Sequence, residues 1–359
     1  MMRFLLVVIL LLIGTPSLAD QKYAGENTIW KNTVWEGDIL IDGIVTVAPG
    51  VTLEVRPGTT VRFTRYDSNQ DQIGEHEIFI QGRFIAQGTA EQPILFTSAE
   101  ERPTPGDWGA INMMASMQEN LLEHCRVEYA YRGFHAHFGR GRLSYSTFAY
   151  NRRAAQFQES DVQINACLFS DNLNGLQFRD STVTIADSVV RGSYWGVRTV
   201  NSRVTMNDTL VENNLINGIN FKESQVELDR ITVRNNRRGL YLQRTSGSVA
   251  RSTLIGNSEH GLFAEESNLT VDSSRILENG RSGVRVLNAT LVLHNNQILD
   301  NDLFAIINDG TEDLQIVGNW WGSSDINEIA TLVRDGHDRN GFGLVTIQTP
   351  LTDPPLLAE

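Results

Sequence analysis

Two acidic residues in consecutive repeats of the chain, Glu159 and Asp180, have the chemistry of a catalytic carboxylate pair. Glycoside hydrolysis uses two carboxyl groups about 5 to 9.5 Å apart, and repulsion between such neighbours can separate their pKa values into an acid and a base. His135 occurs one repeat earlier and is expected near them. The two acids stand at a turn, however, where such residues are common for conformational reasons, and this favours a structural role.

Arginine and aromatic residues recur in and just after the turns that precede a repeated glycine. This second set contains Arg152, Arg153, Tyr194, Trp195, Arg198, Arg237, Arg238 and Tyr241. Aromatic rings could stack on sugar rings, and guanidinium groups pair with carboxylates or sulfates. The set therefore predicts a glycan-binding face. The alternative is a group of unrelated solvated turn residues, since single apolar side chains are common on protein surfaces.

A repeat of 21 or 22 residues must position both sets. Its marker is a small residue at Gly133, Ala154, Gly175, Gly196, Gly218, Gly239, Gly261, Gly283 and Ala305. Within one repeat, Ile219 and Phe221 alternate with Asn220, which is the two-residue period of a strand with one buried face. A repeat of this length with strand periodicity predicts a solenoid in which each unit forms one coil.

Polar residues form three further columns at this period. The first contains Ser160, Ser181, Ser202, Ser224, Thr245, Ser267, Ala289 and Thr311, and the second Cys125, Ser146, Cys167, Ser188, Thr209, Ile231, Ser252, Ser274 and Asn296. The third contains Asp171, Asn214, Asn235, Asn257, Asn279 and Asn301. Columns in one phase require equivalent residues to lie above one another, as in parallel strands about 4.8 Å apart. We expect all three columns to be structural, with the Asn side chains bonding to the backbone of turns.

The two cysteines test this register. Cys125 and Cys167 occupy one column two coils apart, which places them about 9.6 Å from each other. A disulfide needs Cα atoms closer than about 7 Å. The sequence therefore predicts two buried free thiols.

The first 19 residues have the pattern of a signal peptide. Arg3 precedes an apolar run from Phe4 to Ile13, and small residues end at Ala19. We therefore expect export to the periplasm, the cell surface or the medium. The apolar run is shorter than the ~20 residues that span a bilayer. The formal net charge of −13 argues against nucleic acid and anionic membranes as general partners.

Segments outside the regular repeats carry a family resemblance. Residues 50–63, residues 88–109 and the sequence GNWWG at 318–322 resemble the first coils and the end of secreted bacterial proteins of the right-handed parallel β-helix superfamily. Pectate lyases, polygalacturonases and alginate epimerases share this architecture. The resemblance implies an all-β, right-handed, single-stranded parallel β-helix of about 10 to 12 coils with capped ends. We expect the signal peptide at 1–19, the β-helix with its amino-terminal cap at 20–322, and a carboxy-terminal cap of short helix, strand and tail at 323–359.

Enzymes of this superfamily carry motifs that the chain lacks. The Asn-Thr-Asp, Asp-Asp and Gly-His-Gly motifs of polygalacturonases and the Asp-Pro-His motif of alginate epimerases and lyases are absent from the sequence. His135 and His137 alternate along a strand, so we expect one of them to face inward. No cofactor or metal site is indicated, and the oligomeric state stays open.

The sequence therefore favours an exported protein that binds or organises an extracellular or cell-envelope polysaccharide without catalysing a reaction. One alternative is a polysaccharide lyase, epimerase or glycoside hydrolase that acts on acidic glycans, with Glu159, Asp180 and His135 in its cleft. The other is a structural or protein-interaction scaffold, for which the regular columns would suffice.

Overall fold

The protein is described by a computed structural model that covers residues 21–356. Its chain winds into a right-handed parallel β-solenoid of about 13 turns, as the repeat predicts. The number of turns exceeds the expected 10 to 12, because the first and last coils lack the glycine marker by which coils can be counted. The predicted signal peptide at 1–19 lies outside the described residues.

Each regular repeat contributes one strand to each of three faces, which we name by strand length. Numbered along the chain, the strands of the long-strand face are β6 Glu77–Ile80, β9 Trp108–Met114, β12 Ala130–His137, β15 Arg153–Gln158, β18 Asn174–Arg179, β21 Trp195–Val200, β24 Asn217–Lys222, β27 Arg238–Gln243, β30 His260–Glu265, β33 Ser282–Leu287, β36 Phe304–Asn308 and β38 Val333–Arg334.

The next face in chain order is the middle-strand face. Its strands are β2 Thr33–Trp35, β4 Thr52–Val55, β7 Arg83–Gln87, β10 Glu119–Glu123, β13 Arg140–Ser144, β16 Asp161–Asn165, β19 Thr182–Ala186, β22 Arg203–Asn207, β25 Gln225–Asp229, β28 Ser246–Ala250, β31 Asn268–Asp272 and β34 Thr290–His294. Two further strands, β37 Leu314–Val317 and β39 Val345–Gln348, pair with each other beyond β34.

The short-strand face completes each coil. Its strands are β5 Thr60–Phe63, β8 Ile94–Ser98, β11 Cys125–Glu128, β14 Thr147–Ala149, β17 Leu168–Ser170, β20 Val189–Arg191, β23 Leu210–Glu212, β26 Thr232–Arg234, β29 Thr253–Ile255, β32 Arg275–Leu277 and β35 Gln297–Leu299. Two longer strands, β1 Gln21–Ile29 and β3 Asp38–Val47, begin the stack. The first half of β3 pairs with β5 and the second half with β6.

Corners between faces begin with a residue in the left-handed conformation, and the next residue bonds to the adjacent coil. Glu159 and Asp180 both have a φ of 50° at one such corner. Ser181 follows Asp180, accepts a hydrogen bond from the backbone N–H of Ser160 at 3.1 Å, and donates to the carbonyl of Arg179 at 2.7 Å. Each hydroxyl thus joins two coils and satisfies its own turn. The structural role predicted for the two serine-rich columns is confirmed.

The asparagine column also forms a ladder of hydrogen bonds between coils, but two of the residues predicted to belong to it do not. Asn236 Oδ1 accepts from the backbone N–H of Asn214 at 2.9 Å, and this bond repeats along the third corner. Asp171 and Asn235 instead have φ values of 55° and 54° and precede the ladder residue. Asp and Asn favour both positions, so the sequence alone does not separate them.

The interior is filled by inward side chains that stack from coil to coil. Phe157 lies between Phe134 and Phe178, with ring centroids 5.6 and 5.8 Å away. Cys125 and Cys167 are buried and free, which confirms the predicted thiols. Burial raises the pKa of both thiols, that of Cys167 to about 12, so neither is a reactive thiolate at neutral pH.

The carboxy-terminal region closes the last coils. The short helix predicted for this cap is α1, Ile326–Ala330, capped by the Asp325 side chain. The strand predicted to follow it is β39, which pairs with β37. Trp321 is 2% exposed and covers the end of the core.

Two long loops replace the third corner in the first coils. Residues 64–76 connect β5 to β6, and residues 99–107 connect β8 to β9. Arg152 holds both, because its guanidinium group donates to the carbonyls of Gln72 at 2.5 Å and Pro105 at 3.1 Å. The loops therefore stand at the edge of the long-strand face.

Candidate functional site

Side chains on the outer side of the long-strand face form three rows along the solenoid, and some of them, such as Asn217, His260 and Ser282, are buried. The first row, in order of coils, is Arg132, Arg153, Asn174, Trp195, Asn217, Arg238, His260, Ser282 and Phe304. The second is His135, Gln156, Gln177, Arg198, Asn220, Tyr241, Phe263, Arg285 and Ile307. The third is His137, Gln158, Arg179, Val200, Lys222, Gln243, Glu265 and Leu287. Neighbours in a row are about 4.8 Å apart along the backbone stack, so one extended ligand could contact several coils.

We call the stretch of these rows on β12 to β24 the amino-terminal half of the face. It holds basic side chains and no carboxylate. The basic residues are Arg132, Arg153, Arg179, Arg198 and Lys222.

Acids at the corners reach only two of these cations. Arg179 Nε lies 3.2 Å from Asp180, and Lys222 Nζ lies 3.8 Å from Glu223. The other three arginines have no carboxylate within ion-pair distance among residues 21–356. Their charges are therefore available to an anionic ligand.

Two of the three uncompensated arginines flank Tyr131. The guanidinium carbons of Arg132 and Arg153 lie 4.7 and 5.1 Å from the centroid of the ring. Arg153 Nη1 also donates to the Tyr131 hydroxyl at 3.0 Å and to Gln156 Oε1 at 3.1 Å. Cation–π contacts and neutral acceptors orient the two guanidinium groups without cancelling their charge.

Glu77 lies on the same face, two strands before Arg132. Asn112, on the strand between them, donates from Nδ2 to the two Glu77 carboxylate oxygens at 3.3 and 3.4 Å. Its Oδ1 lies 2.9 Å from His135 Nδ1. Since the amide oxygen can only accept, His135 carries its proton on Nδ1 and presents Nε2 as an acceptor.

Burial shifts the pKa of both ends of this chain of hydrogen bonds. It raises the pKa of Glu77 to about 7, against the opposing effects of the Asn112 hydrogen bond and the Arg132 charge. Burial, with the nearby Arg132 and other cations, lowers the pKa of His135 to about 3. At neutral pH, His135 is therefore uncharged and Glu77 is partly protonated.

Two polar atoms in this cluster are buried without a hydrogen-bond partner. They are Nε of Arg132, a donor, and Nε2 of His135, an acceptor. An unsatisfied buried polar atom is costly, and most such atoms in folded proteins find a partner. The cluster thus retains bonding capacity that the described residues do not use.

Trp195 and Arg198 form a partly exposed pair on β21. The Arg198 guanidinium carbon lies 5.4 Å from the Trp195 ring centroid. The ring centroids of Tyr194 and Trp195 are 6.2 Å apart. Arg198 and Tyr194 are exposed, whereas Trp195 is half-buried. A shallow concavity of about 320 Å³ extends from Arg198 and is lined by Gln156, Phe157, Gln158, Gln177, Phe178, Arg179, Arg198 and Val200.

Arginines in the carboxy-terminal half of the face, from β27 to β36, are paired with acids. Arg237 Nε and Arg238 Nε donate to the two oxygens of the Glu259 carboxylate at 2.7 and 2.8 Å. These bonds lower the pKa of Glu259 against the effect of burial and keep it ionised. Much of the charge of both arginines is neutralised within the protein.

The aromatic side chains Tyr241 and Phe263 in this half also contact other side chains of the protein. The Tyr241 hydroxyl donates to Glu265, and burial together with that carboxylate raises the pKa of Tyr241 to about 12. Its ring stacks on the Phe263 ring, with centroids 4.8 Å apart. The Arg285 guanidinium carbon lies 4.4 Å from the Phe263 centroid, and Arg285 Nε donates a hydrogen bond to Asp309.

The eight residues predicted to bind a ligand therefore differ in their surroundings. Arg153, Trp195 and Arg198 face outward with no acid partner, and Tyr194 stands at the adjoining corner. Arg152 lies at the corner too but is occupied by the two loops. The remaining three belong to the paired carboxy-terminal half.

The structure places Glu159 and Asp180 at equivalent positions of adjacent coils, as predicted, but it does not bring His135 to them. Glu159 and Asp180 occupy a corner, and the Asn201 side chain donates to Asp180 at 2.6 Å. His135 pairs in register with Gln156, which precedes Glu159 by three residues, or about 10 Å of strand.

The expectation that His135 or His137 faces inward was wrong, although His135 is buried, at 3% exposed. Side chains two residues apart in a strand lie on the same side. Phe134 and Ala136 face the core, and the two imidazole rings meet edge to face outside it, with centroids 4.8 Å apart.

Sequence reasoning missed Glu77 and Asn112. Both lie in coils that carry a long loop instead of the third corner, outside the glycine repeat. Strand alternation places them on an outward face, but the register that brings them to His135 depends on loops of unequal length.

Residues 21–356 contain neither a metal-binding cluster nor a membrane-spanning helix. No group of three or more His, Cys, Asp or Glu side chains there could hold a metal ion. No helix in that range combines the length and hydropathy needed to cross a membrane.

Two family models match the sequence in succession. A model described as a pectate-lyase-like β-helix domain matches residues 27–170, and one described as a right-handed β-helix region matches residues 174–321. No curated protein matches the sequence significantly.

Solved structures with similar architecture include the periplasmic alginate epimerase AlgG, with a TM-score of 0.55 and 14% identity over 86% of this chain and 77% of that one. The mannuronan C-5 epimerase AlgE4 A-module of Azotobacter vinelandii has a TM-score of 0.44 and 15% identity, over 85% and 88% of the two chains. PfbA, a surface adhesin of Streptococcus pneumoniae, has a TM-score of 0.40 and 11% identity, over 90% and 81%. At these identities the likeness shows the fold alone. The two family matches and the strand topology together show that the chain is a right-handed parallel β-helix with pectate-lyase-like β-helix domains.

Proposed function

We propose that the protein binds an anionic polysaccharide along the amino-terminal half of the long-strand face. The observation that supports this most directly is the presence of five basic side chains and no carboxylate in the outward rows of β12 to β24. Guanidinium groups bind carboxylates and sulfates through charge-assisted hydrogen bonds. On a chain with a net charge of −13, such a local excess of cations favours an anionic ligand at this face.

The neutral side chains of the same half suit a sugar polymer. Gln156, Gln158 and Gln177 present amide donors and acceptors beside the concavity. Trp195 offers part of an aromatic face next to Arg198. Amides for hydroxyl groups, a ring for the apolar side of a sugar and arginines for acid groups together form a polyuronate- or polysulfate-binding surface.

The proposed ligand is extracellular or part of the cell envelope, and we therefore propose that the protein is exported. The predicted signal peptide at 1–19 supports this assignment. An alginate epimerase with the same fold is periplasmic.

A polysaccharide lyase or epimerase acting on the same acidic glycan is the second candidate. Glu77 favours it, because a carboxyl group with a pKa of about 7 can transfer protons at neutral pH. A glycoside hydrolase is less well supported, since Glu77 is not accompanied by a second outward carboxylate on β9 or β12.

Affinity electrophoresis tests the proposal. The protein is run through gels cast with a neutral, a uronate-rich or a sulfated polysaccharide, and retardation by an acidic polymer alone is expected. Changing both Trp195→Ala and Arg198→Ala should weaken retardation about tenfold, the effect of losing roughly 1.4 kcal/mol. Arg203→Ala, which removes an equal charge from the middle-strand face, should leave it unchanged.

Three outcomes separate the candidate functions. Retardation without shortened, unsaturated or epimerised products supports binding alone, and any of these products would establish the enzyme. No retardation by any polymer would contradict the glycan proposal and leave a scaffold as the better account.

A further inference from the structure

We infer that Glu77, Asn112 and Arg132 form a subsite for one acidic group of the bound glycan, and that Glu77 takes up a proton when this subsite fills. The inference rests on the proposed function and adds a position and a chemical signature to it. The ligand group is a carboxylate or sulfate carried by a sugar.

Bonding capacity marks this position on the face. Arg132 has no carboxylate partner, and its Nε is buried without an acceptor. Glu77 contributes to the electrostatics of the same cluster, yet the two side chains form no ion pair within 4.0 Å. Arg132 is thus held by Tyr131 beside a carboxyl group that does not neutralise it by direct contact.

A ligand acid group at Arg132 would lie near the Glu77 carboxyl group. Two negative charges a few ångströms apart in a partly buried site repel strongly, and carboxyl pairs in proteins relieve this by sharing a proton. Protonated Glu77 can instead donate a hydrogen bond to the incoming anion. Binding therefore favours the protonated form.

Glu77 is poised for this change at neutral pH, because burial brings its pKa to about 7. The other titratable or charged side chains around it are Glu75 and His76 on the same segment, Asp42 on β3 with its ion-pair partner Lys22, Arg132, His135 and His137 on β12, and Arg153 on β15. β9, which lies directly against β6, contains no titratable side chain. His135, with a pKa of about 3, stays neutral throughout.

The sign of the pH dependence follows from this linkage. The ligand prefers protonated Glu77, so affinity is highest below the pKa of the free protein and falls as the pH rises through it. Well above that pKa, each pH unit should weaken binding by up to tenfold, until the bound form also loses its proton. Uronate and sulfate groups stay ionised over this range.

Isothermal titration calorimetry measures the proton directly. An oligouronate, and separately a sulfated oligosaccharide, is titrated into the protein at about pH 7.5 in two buffers of different ionisation enthalpy. The wild type should take up a substantial fraction of one proton, and its affinity should fall several-fold between about pH 6.5 and pH 8. Glu77→Gln should bind with no proton uptake and with an affinity that changes little over that range. His137→Asn, a control that removes an imidazole from β12, should still take up the proton.

The outcomes distinguish this inference from the proposed function. Binding without proton uptake, or with equal uptake in Glu77→Gln, overturns the role of Glu77 and leaves the binding face intact. No heat of binding at any pH overturns both. Thermal unfolding of Glu77→Gln confirms that this variant is folded before it is titrated.

Discussion

The two halves of the long-strand face share one backbone architecture and differ in how their arginines are neutralised. In the amino-terminal half, Arg153 and Arg198 contact only neutral groups and aromatic rings. In the carboxy-terminal half, Arg237 and Arg238 share the Glu259 carboxylate. In this solenoid a cation is neutralised most directly by an acid one coil away, so the placement of a few acids decides which part of a uniform rod can bind an anion.

The largest expected effect is on stability and concerns the asparagine ladder, which runs through both halves. Asn214 and Asn279 each bond to the next coil through both their backbone and their side-chain amide. Changing either one to Ala removes several buried hydrogen bonds, and each should lower the free energy of unfolding by about 3 kcal/mol. Chemical denaturation measures both. A loss confined to one half would contradict a scaffold that is equivalent throughout.

Glu77→Gln should stabilise the first coils of the solenoid, which precede the amino-terminal half of the face, at alkaline pH. The pKa of Glu77 is raised from 4.5 to about 7 in the fold, so ionisation opposes folding. Below pH 4.5 the group is protonated in both states and has no effect. Between pH 4.5 and about pH 7, the free energy of unfolding falls by about 1.4 kcal/mol per pH unit. Above that range the total loss is about 3 kcal/mol.

Thermal unfolding of wild type and Glu77→Gln at several pH values tests this trend. The two midpoints should coincide near pH 4 and separate towards pH 8. Glu227→Gln, an exposed position on β25, is the matched control. Midpoints that stay parallel for Glu77→Gln would show that this carboxyl group is not held in a raised-pKa environment.

Glu259→Gln should transfer part of the amino-terminal behaviour to the other half. It releases Arg237 and Arg238 from their common carboxylate, so the affinity for an acidic oligosaccharide should rise about two- to fivefold, a change of less than about 1 kcal/mol. Affinity electrophoresis with a uronate polymer measures the gain. Glu227→Gln, which changes the net charge equally, should give a smaller gain, and equal gains would mean that net charge alone governs retention.

Much of the fold can be predicted from the sequence because each coil uses the same pattern of residues. Each coil meets the same corner with the same few residue types, so the period, the buried strand positions and the free cysteines can be predicted. The asparagine ladder was misplaced at Asp171 and Asn235 because a left-handed residue and a capping residue have overlapping preferences.

The candidate site was less predictable because ion pairing depends on which side chains meet across coils. The arginines on β12 to β21 and β27 look equivalent in sequence, and only the contacts with Glu259 distinguish Arg237 and Arg238. Glu77 lies before the regular repeats, in a coil with a 13-residue loop at 64–76, so no column connects it to His135. The pKa shift of Glu77 comes from burial among these neighbours and has no signature in the chain itself.

The most direct test of the account compares two double variants in their affinity for one acidic oligosaccharide. Arg153→Gln with Arg198→Gln removes uncompensated charges, and Arg237→Gln with Arg238→Gln removes paired ones, so the change in net charge is the same. We predict that the first weakens binding at least tenfold and the second by less than about threefold. Equal losses in the two variants, or no loss in the first, would contradict a binding face defined by its unpaired arginines.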